Sequence, residues 1–257
     1  MLEHRTNPTG ADGASTVKSA QRILDIFELY ASTKSPATLS AIASQLHMPK
    51  SSCLALLTTL ASNGYIYEVR PQIGYYPTRR WLDKAQAISA SDPVVREVQP
   101  FLESLCDSTG ETLILGKLVD RHILYIDVVE SKQTLRYTAV AGQFKPLHGT
   151  ASGKAALGAL SLEKRKGLLD TLDFVSLTPR TITERSVLEQ EIETGNARGW
   201  HVSLGENVAD ATAIGVPLVL MNEIFVLVVA GPTQRLEPNI ETIGNELCAV
   251  RRFIEKR

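Results

Sequence analysis

Apolar residues recur at helical spacing through residues 16–32, TVKSAQRILDIFELYAS. Val17, Ala20, Ile23, Leu24, Phe27 and Tyr30 or Ala31 share one face there. Thr16 stands where an N-cap belongs. After the break at Pro36, a second short face carries Leu39, Ile42, Ala43 and Leu46, with Thr38 or Ser40 as its cap. The turn HMPK leads into a third helix, from Pro49 to Ser62, with Pro49 in its first turn, where a missing N–H costs nothing. Its expected inward residues are Cys53, Leu54, Leu56, Leu57 and Leu60. Asn63-Gly64 suits a helix C-terminus. Two strands, YIYEV and GYYP, follow around the turn RPQIG.

The pattern then changes. Residues 79–91 read as a polar connector helix with Trp81, Leu82, Ala85 and Ile88 on one face. Asp92-Pro93 starts a new helix, which Pro100 is expected to kink or break. Strands are predicted at TLILGKLV, ILYIDVVE, LRYTAV, HVSLG, ATAIGVPLVL and IFVLVVAGP. Helices are predicted at SGKAALGALS, LEKRKGLLDTL, TERSVLEQEIETGNARGW, which ends near Gly199, and NIETIGNELCAVRRFIEK. Hairpin order with flanking helices indicates an α+β domain built on an antiparallel sheet. The expected divisions are a disordered tail at 1–15, a helix-turn-helix domain at 16–78, a linker helix at 79–91 and a second domain at 92–257.

Composition narrows the class. The 257 residues are 44% hydrophobic and 21% charged, as in a globular protein with a sizeable core. No apolar run reaches the ~18–20 residues of a membrane span, and the N-terminus lacks a signal-peptide core. Three scattered cysteines suggest reduced thiols in a cytoplasmic protein. The net charge of −1 is unevenly spread: residues 1–91 carry nine Lys and Arg against six Asp and Glu, the remainder 18 against 22. A mildly basic front permits a polyanionic partner.

Helix, helix-turn-helix and hairpin is the order of a winged helix-turn-helix. The start of the helix at Pro49, Lys50, Ser51 and Ser52 offers free backbone N–H groups to phosphate. Arg70 and Tyr75 on the hairpin can reach neighbouring phosphates or the minor groove. Ser40, Leu54 and Thr58 complete the candidate DNA-binding set. The plain alternative is a small helical core capped at Ser51.

The heptapeptide HGTASGK, residues 148–154, invites comparison with a nucleotide-binding loop. That loop needs four residues between its first glycine and the Gly-Lys pair, then Ser or Thr. Here three separate Gly149 from Gly153, and Ala155 follows Lys154. Thr150, Ala151 and Ser152 instead read as a loop-to-helix transition whose exposed N–H groups can hold a carboxylate. A close-packed helix start capped by Ser152 uses the same donors. No Gly-x-Ser-x-Gly elbow occurs. His47 and His122 are expected in turns. His148 and His201 lack a third partner at metal-ligand spacing. EKRKG reads as a solvated helix face. No catalytic residue, metal or cofactor is expected.

The ordered set SAQRILDIFELYA, LSAIASQLHMPKSSCLALLTTLASNGYI, GYYPT, GETLILGKL, ILYIDVVES, PLHGTASGKAALGAL, RGWHVSLGE, IGVPLV and VAGP resembles the IclR-type bacterial transcriptional regulators, from about Val17 to the C-terminus. The resemblance implies a dimeric or tetrameric regulator, such as a repressor of a catabolic operon. Its partners would be double-stranded operator DNA and a small organic acid bound in a GAF- or PAS-like domain, with no membrane. It also implies that Tyr137, Thr150, Ala151, Ser152, Ser203, Ala213, Val228 and Ala230 border the effector pocket, Tyr137 as an apolar wall. The first helix and the linker would form the dimer contacts.

Departures matter. Ser203 stands where relatives often carry an acid, Ala213 where many carry cysteine, and Val228 and Ala230 where some carry serine. Leu54-Ala55 replaces an arginine-bearing stretch of the recognition helix. A less polar pocket favours an aromatic or otherwise apolar carboxylate over a two- or three-carbon keto acid. Val228 and Ala230 serve equally as core strand residues, since alternation alone does not reveal the face. Two rivals stay open: an enzyme on the rear domain, and a constitutive DNA-binding protein whose rear domain only oligomerises.

Overall fold

The computed structural model describes residues 17–69 and 73–256. The expectations for Thr16, for the tail at 1–15 and for Arg70 lie outside the described residues. The chain divides after Asp92 into two compact units.

The first unit contains α1 (Lys18–Thr33), α2 (Leu39–Gln45), α3 (Lys50–Ser62), β1 (Ile66–Val69), β2 (Gly74–Pro77) and α4 (Arg80–Ser89). The Thr38 hydroxyl caps α2 by accepting from the Ala41 N–H, and Ser40 lies within the helix. Pro49 is the extended residue before α3 rather than its first helical residue. Ile26, Tyr30, Ile42, Ala43, Met48, Cys53, Leu57, Leu60 and Ile66 form one core. The exposed Leu54 is not part of it, which corrects the inward assignment. It lies one residue past Cys53 and three before Leu57, both fully buried, so the helical turn carries it outward. β1 and β2 pair antiparallel, and Ala37 bridges Tyr75 on the far side of β2. That bridge requires Gly74, because a Cβ there would meet the Ala37 carbonyl oxygen at 2.2 Å. Trp81 packs on Phe27 and Tyr65 and donates to the Tyr65 carbonyl. Leu82 and Ile88 of α4 stay exposed.

The second unit contains α5 (Pro93–Thr109), β3 (Thr112–Val119), β4 (His122–Val129), β5 (Phe144–Pro146), α6 (Ala151–Ala159), α7 (Leu162–Leu169), α8 (Arg185–Arg198), β6 (His201–Leu204), β7 (Ala211–Leu220), β8 (Glu223–Pro232), α9 (Thr233–Leu236) and α10 (Ile240–Ile254). Six strands form one antiparallel sheet in the order β5-β4-β3-β8-β7-β6. One face packs with Val98, Leu102 and Leu105 of α5 and Leu247 of α10; the other packs with Ala155 and Leu157 of α6 and Leu188 and Ile192 of α8. Both faces are covered, which is why β3 and β8 read as continuous apolar runs. Met221 and Asn222 join β7 to β8 with positive φ at both positions, as a two-residue hairpin requires.

Three expectations change. α5 runs unbroken through Pro100. Leu102, Leu105 and Cys106, buried against the sheet beyond the proline, hold the helix together. LRYTAV forms no strand: the outer edge of β4 is taken by the short β5, and the Thr112 hydroxyl instead holds the Tyr137 carbonyl at 2.7 Å. EKRKG is not wholly solvated, since Arg165 is buried and pairs with Glu193 at 2.6 Å.

Candidate functional site

Two places carry candidate chemistry. The first is the surface of α3. Lys50, Ser51, Leu54 and Thr58 are exposed along one side, with Ala55 beside them, and Ser40 is exposed on α2. Pro49 is exposed before the first turn, and Ser52 is half-buried. Tyr75 is different. Its backbone is locked by Ala37 and by the Tyr30 hydroxyl, and its half-buried ring packs on the core; on the paired strand, Tyr67 is the exposed aromatic. Between Glu28 and Glu68 the chain has no Asp or Glu, so α2, α3 and their turn oppose no negative charge to a phosphate backbone. Composition totals conceal this acid-free stretch; a local scan would have found it.

The second is a small, mostly apolar cavity in the unit after Asp92. Strand alternation places Val228 and Ala230 of β8 on the α6 face, opposite Leu227 and Val229. The start of α6 closes one end. Thr150 is its N-cap, accepting from the Gly153 N–H at 3.0 Å, and Ser152 donates to Thr150. Thr150 therefore takes the capping role expected of Ser152, because a cap must precede the helix. The N–H groups of Ala151 and Ser152 stand at the helix start, where no intrahelical acceptor exists. Ser203 of β6 donates to the Gly149 carbonyl. Tyr137, Thr150, Ala151, Ser152, Ser203, Ala213, Val228 and Ala230 all line this one cavity.

Sequence reasoning missed Tyr125, Asn207, Val208, Ala211 and Thr212, which also line it. The Tyr125 hydroxyl interacts with the Tyr137 hydroxyl and with Ser152, and Tyr137 interacts with Asn207. Tyr137 is thus no purely apolar wall. Burial pushes both phenols up, Tyr125 well above its ordinary range, so both remain protonated. The β4 alternation could have put Tyr125 on the inner face; nothing local marked Asn207. The cavity as it stands is about 30 Å3, room for about one or two waters. A larger ligand must move a wall. A roomier recess of about 440 Å3 lies beside Glu111 and Arg235, but these charges satisfy each other.

Behind the cavity lies a buried ion pair. Lys154, 1% exposed, donates to Glu206 at 2.7 Å and to the Val202 carbonyl at 2.9 Å. Burial pushes the Glu206 carboxyl up, and the Lys154 ammonium pulls it back. Thr178 and Thr181 hold the Glu206 carbonyl, fixing the loop just before Asn207.

The described histidines are dispersed. His47 occupies the α2–α3 turn with positive φ, and His122 opens β4 rather than lying in the turn. His148 bonds the Val175 carbonyl and packs on Phe174. His201 is sealed elsewhere, against Gly158 and Gly195. Among the described residues, no cluster of three His, Cys, Asp or Glu could hold a metal.

Burial, then the charges of Arg198, Lys154 and Arg165, push His201 down to about 3. Its unfolded value is ~6.5. The unfolded chain therefore binds the extra proton between these values, and stability falls with pH below ~6.5, by about 1.4 kcal/mol per unit. Urea unfolding at pH 6.5 and 5 should show a loss of about 2 kcal/mol that His201→Gln abolishes. An equal loss in both proteins would assign it elsewhere.

The model of the IclR helix-turn-helix domain matches residues 19–70, and that of the bacterial transcriptional regulator IclR C-terminal domain matches residues 86–252. The chain is 26% identical to the HTH-type transcriptional regulator XynR of Escherichia coli K12, over 79% of this chain and 80% of XynR. The IclR structure of Thermotoga maritima superimposes with a TM-score of 0.73 at 24% identity, covering 92% of this chain and 98% of that one. An IclR homologue from Microbacterium hydrocarbonoxydans, complexed with 4-hydroxybenzoate, superimposes with a TM-score of 0.76 at 20% identity, over 93% and 99% of the two chains. These relatives are regulators and not enzymes. Among the described residues, no helix is long and apolar enough to cross a membrane.

Proposed function

Because the chain belongs to the IclR family of bacterial transcriptional regulators, we propose that it is a ligand-responsive regulator of a catabolic operon that senses a small aromatic carboxylate. The convergence of eight named residues on one mostly apolar cavity beside the start of α6 supports this reading most directly. Val228, Ala230 and Ala213 supply surface for a ring, and the Ala151 and Ser152 N–H groups face a carboxylate. The 4-hydroxybenzoate complex of the Microbacterium protein points to the same ligand class.

α3 enters the major groove with Ser51, Leu54, Ala55 and Thr58 towards the bases. Leu54 and Ala55 suit thymine methyls, where an arginine would read guanine. Lys50 and Ser52 take phosphate, as does Arg70. The exposed Leu24 of α1 and Leu82 and Ile88 of α4 form the contacts of a homodimer, which pairs two half-sites; rear domains join dimers into a tetramer. Residues 79–91 act as the linker. The ligand controls DNA binding because it favours one arrangement of the paired front domains.

A duplex selected from random sequence by the protein itself provides the test. Lys50→Ala should weaken all bound sequences alike and lower the log–log salt slope by about 0.9 for each phosphate it leaves without a cation. Benzoate or 4-hydroxybenzoate should change the affinity of the intact chain for that duplex. Failure to select any duplex refutes the reading. DNA binding indifferent to every acid favours a constitutive binder.

A further inference from the structure

We propose that Tyr125 is the residue by which the cavity distinguishes a carboxylate from other polar groups, its hydroxyl and that of Tyr137 turning together onto the ligand. The inference rests on the aromatic-acid reading above and adds a residue to it.

No lysine, arginine or histidine is among the described residues lining the cavity. The cation behind it, Lys154, is already committed to Glu206 and to the Val202 carbonyl. A carboxylate buried here must therefore be held by neutral donors. Burial without them would cost several kcal/mol. The Ala151 and Ser152 N–H groups provide two. A carboxylate accepts at about four sites, so further donors are needed.

Tyr125 is placed to supply one. It is 4% exposed. β4 pairs it with Gly116, and its backbone N–H and carbonyl are bonded to Gln143 and Gly142. The Lys145 ammonium lies 5.7 Å from the ring centroid. The backbone that carries the ring is therefore fixed, and Tyr125 lines the cavity together with Ser152 of the first turn of α6. In the present state its hydroxyl is engaged with the Tyr137 oxygen, so its single proton is spent on a neutral partner. A carboxylate is the stronger acceptor, and charge-assisted bonds are about twice as strong as neutral ones. Its arrival replaces the Tyr125–Tyr137 interaction and gives both hydroxyls a better partner. A carboxamide cannot do the same, because its NH2 end would face donors.

Calorimetry on the full chain tests this with benzoate, 4-hydroxybenzoate and benzamide. The natural protein should prefer benzoate to benzamide. Tyr125→Phe should bind benzoate roughly ten- to a hundredfold more weakly, while benzamide changes by no more than about threefold, so the preference collapses. A purely structural role would weaken both alike. Should Tyr125→Phe not fold, the natural protein labelled at tyrosine Cζ replaces it. Of its seven tyrosines, two resonances should move together with benzoate and stay still with benzamide. Undiminished preference in Tyr125→Phe, or an absent pair of moving resonances, overturns the role of Tyr125 and leaves the aromatic-acid reading standing. Failure of the natural protein to bind either acid removes both.

Discussion

Lys154→Met lowers the stability of the unit after Asp92 by about 3–5 kcal/mol. The side chain is 1% exposed and the Glu206 side chain 9%, so neither charge is screened by water. Methionine fills the volume of the lysine stem but leaves a buried carboxylate without its cation. One oxygen of Glu206 already lacks a hydrogen-bond partner in the intact protein, so the pair has no spare donor to fall back on. The midpoint of urea unfolding reads the loss. Trp200, buried in this unit, reports it cleanly once Trp81 of the first unit is changed to phenylalanine. In thermal melts the same loss amounts to about 10 °C. The double change Lys154→Met with Glu206→Leu removes both charges and should recover most of the stability, since a buried pair replaced by apolar groups is often neutral. A single variant within about 1 kcal/mol of the natural protein would show that the pair contributes little.

Gly153→Ala costs about 3 kcal/mol, at the upper end for overpacking. A Cβ at this position would lie 2.2 Å from the Leu147 carbonyl oxygen and 2.4 Å from the Leu147 Cα. These are backbone atoms, so no rotamer change relieves the clash. The chain must separate where it turns from β5 into α6, which is also the end of the cavity that offers N–H groups. Gly167→Ala, in α7, is the matched control. Nothing lies within 4 Å of its added Cβ, and there alanine should stabilise by about 0.5–1 kcal/mol. Opposite signs for one chemical change, read by the same urea midpoints, test the packing directly. A Gly153→Ala protein as stable as its parent would mean that α6 does not approach Leu147 this closely.

These glycine and lysine positions explain the heptapeptide HGTASGK better than a phosphate loop does. Gly153 is there for close approach, and Lys154 for an ion pair across the unit. Thr150 caps, and Ala151 and Ser152, whose N–H groups have no intrahelical acceptor, line the cavity.

Residue order was enough to specify the helix-turn-helix and the hairpin order of the sheet. Those depend on local periodicity, caps and turns: Thr38 before α2, Asn63-Gly64 after α3, Gly199 after α8. It also located the cavity-lining residues it named, through family resemblance. Which side of a continuous apolar strand faces the cavity emerged only on folding, because a strand buried on both faces carries no polar alternation. Long-range packing held α5 together across Pro100, turned LRYTAV from a strand into a strap bearing Tyr137, and brought Tyr125, Asn207 and Glu206 to the start of α6. Each of those outcomes depends on partners distant along the chain, and pairings of that kind leave no mark in the spacing of residues.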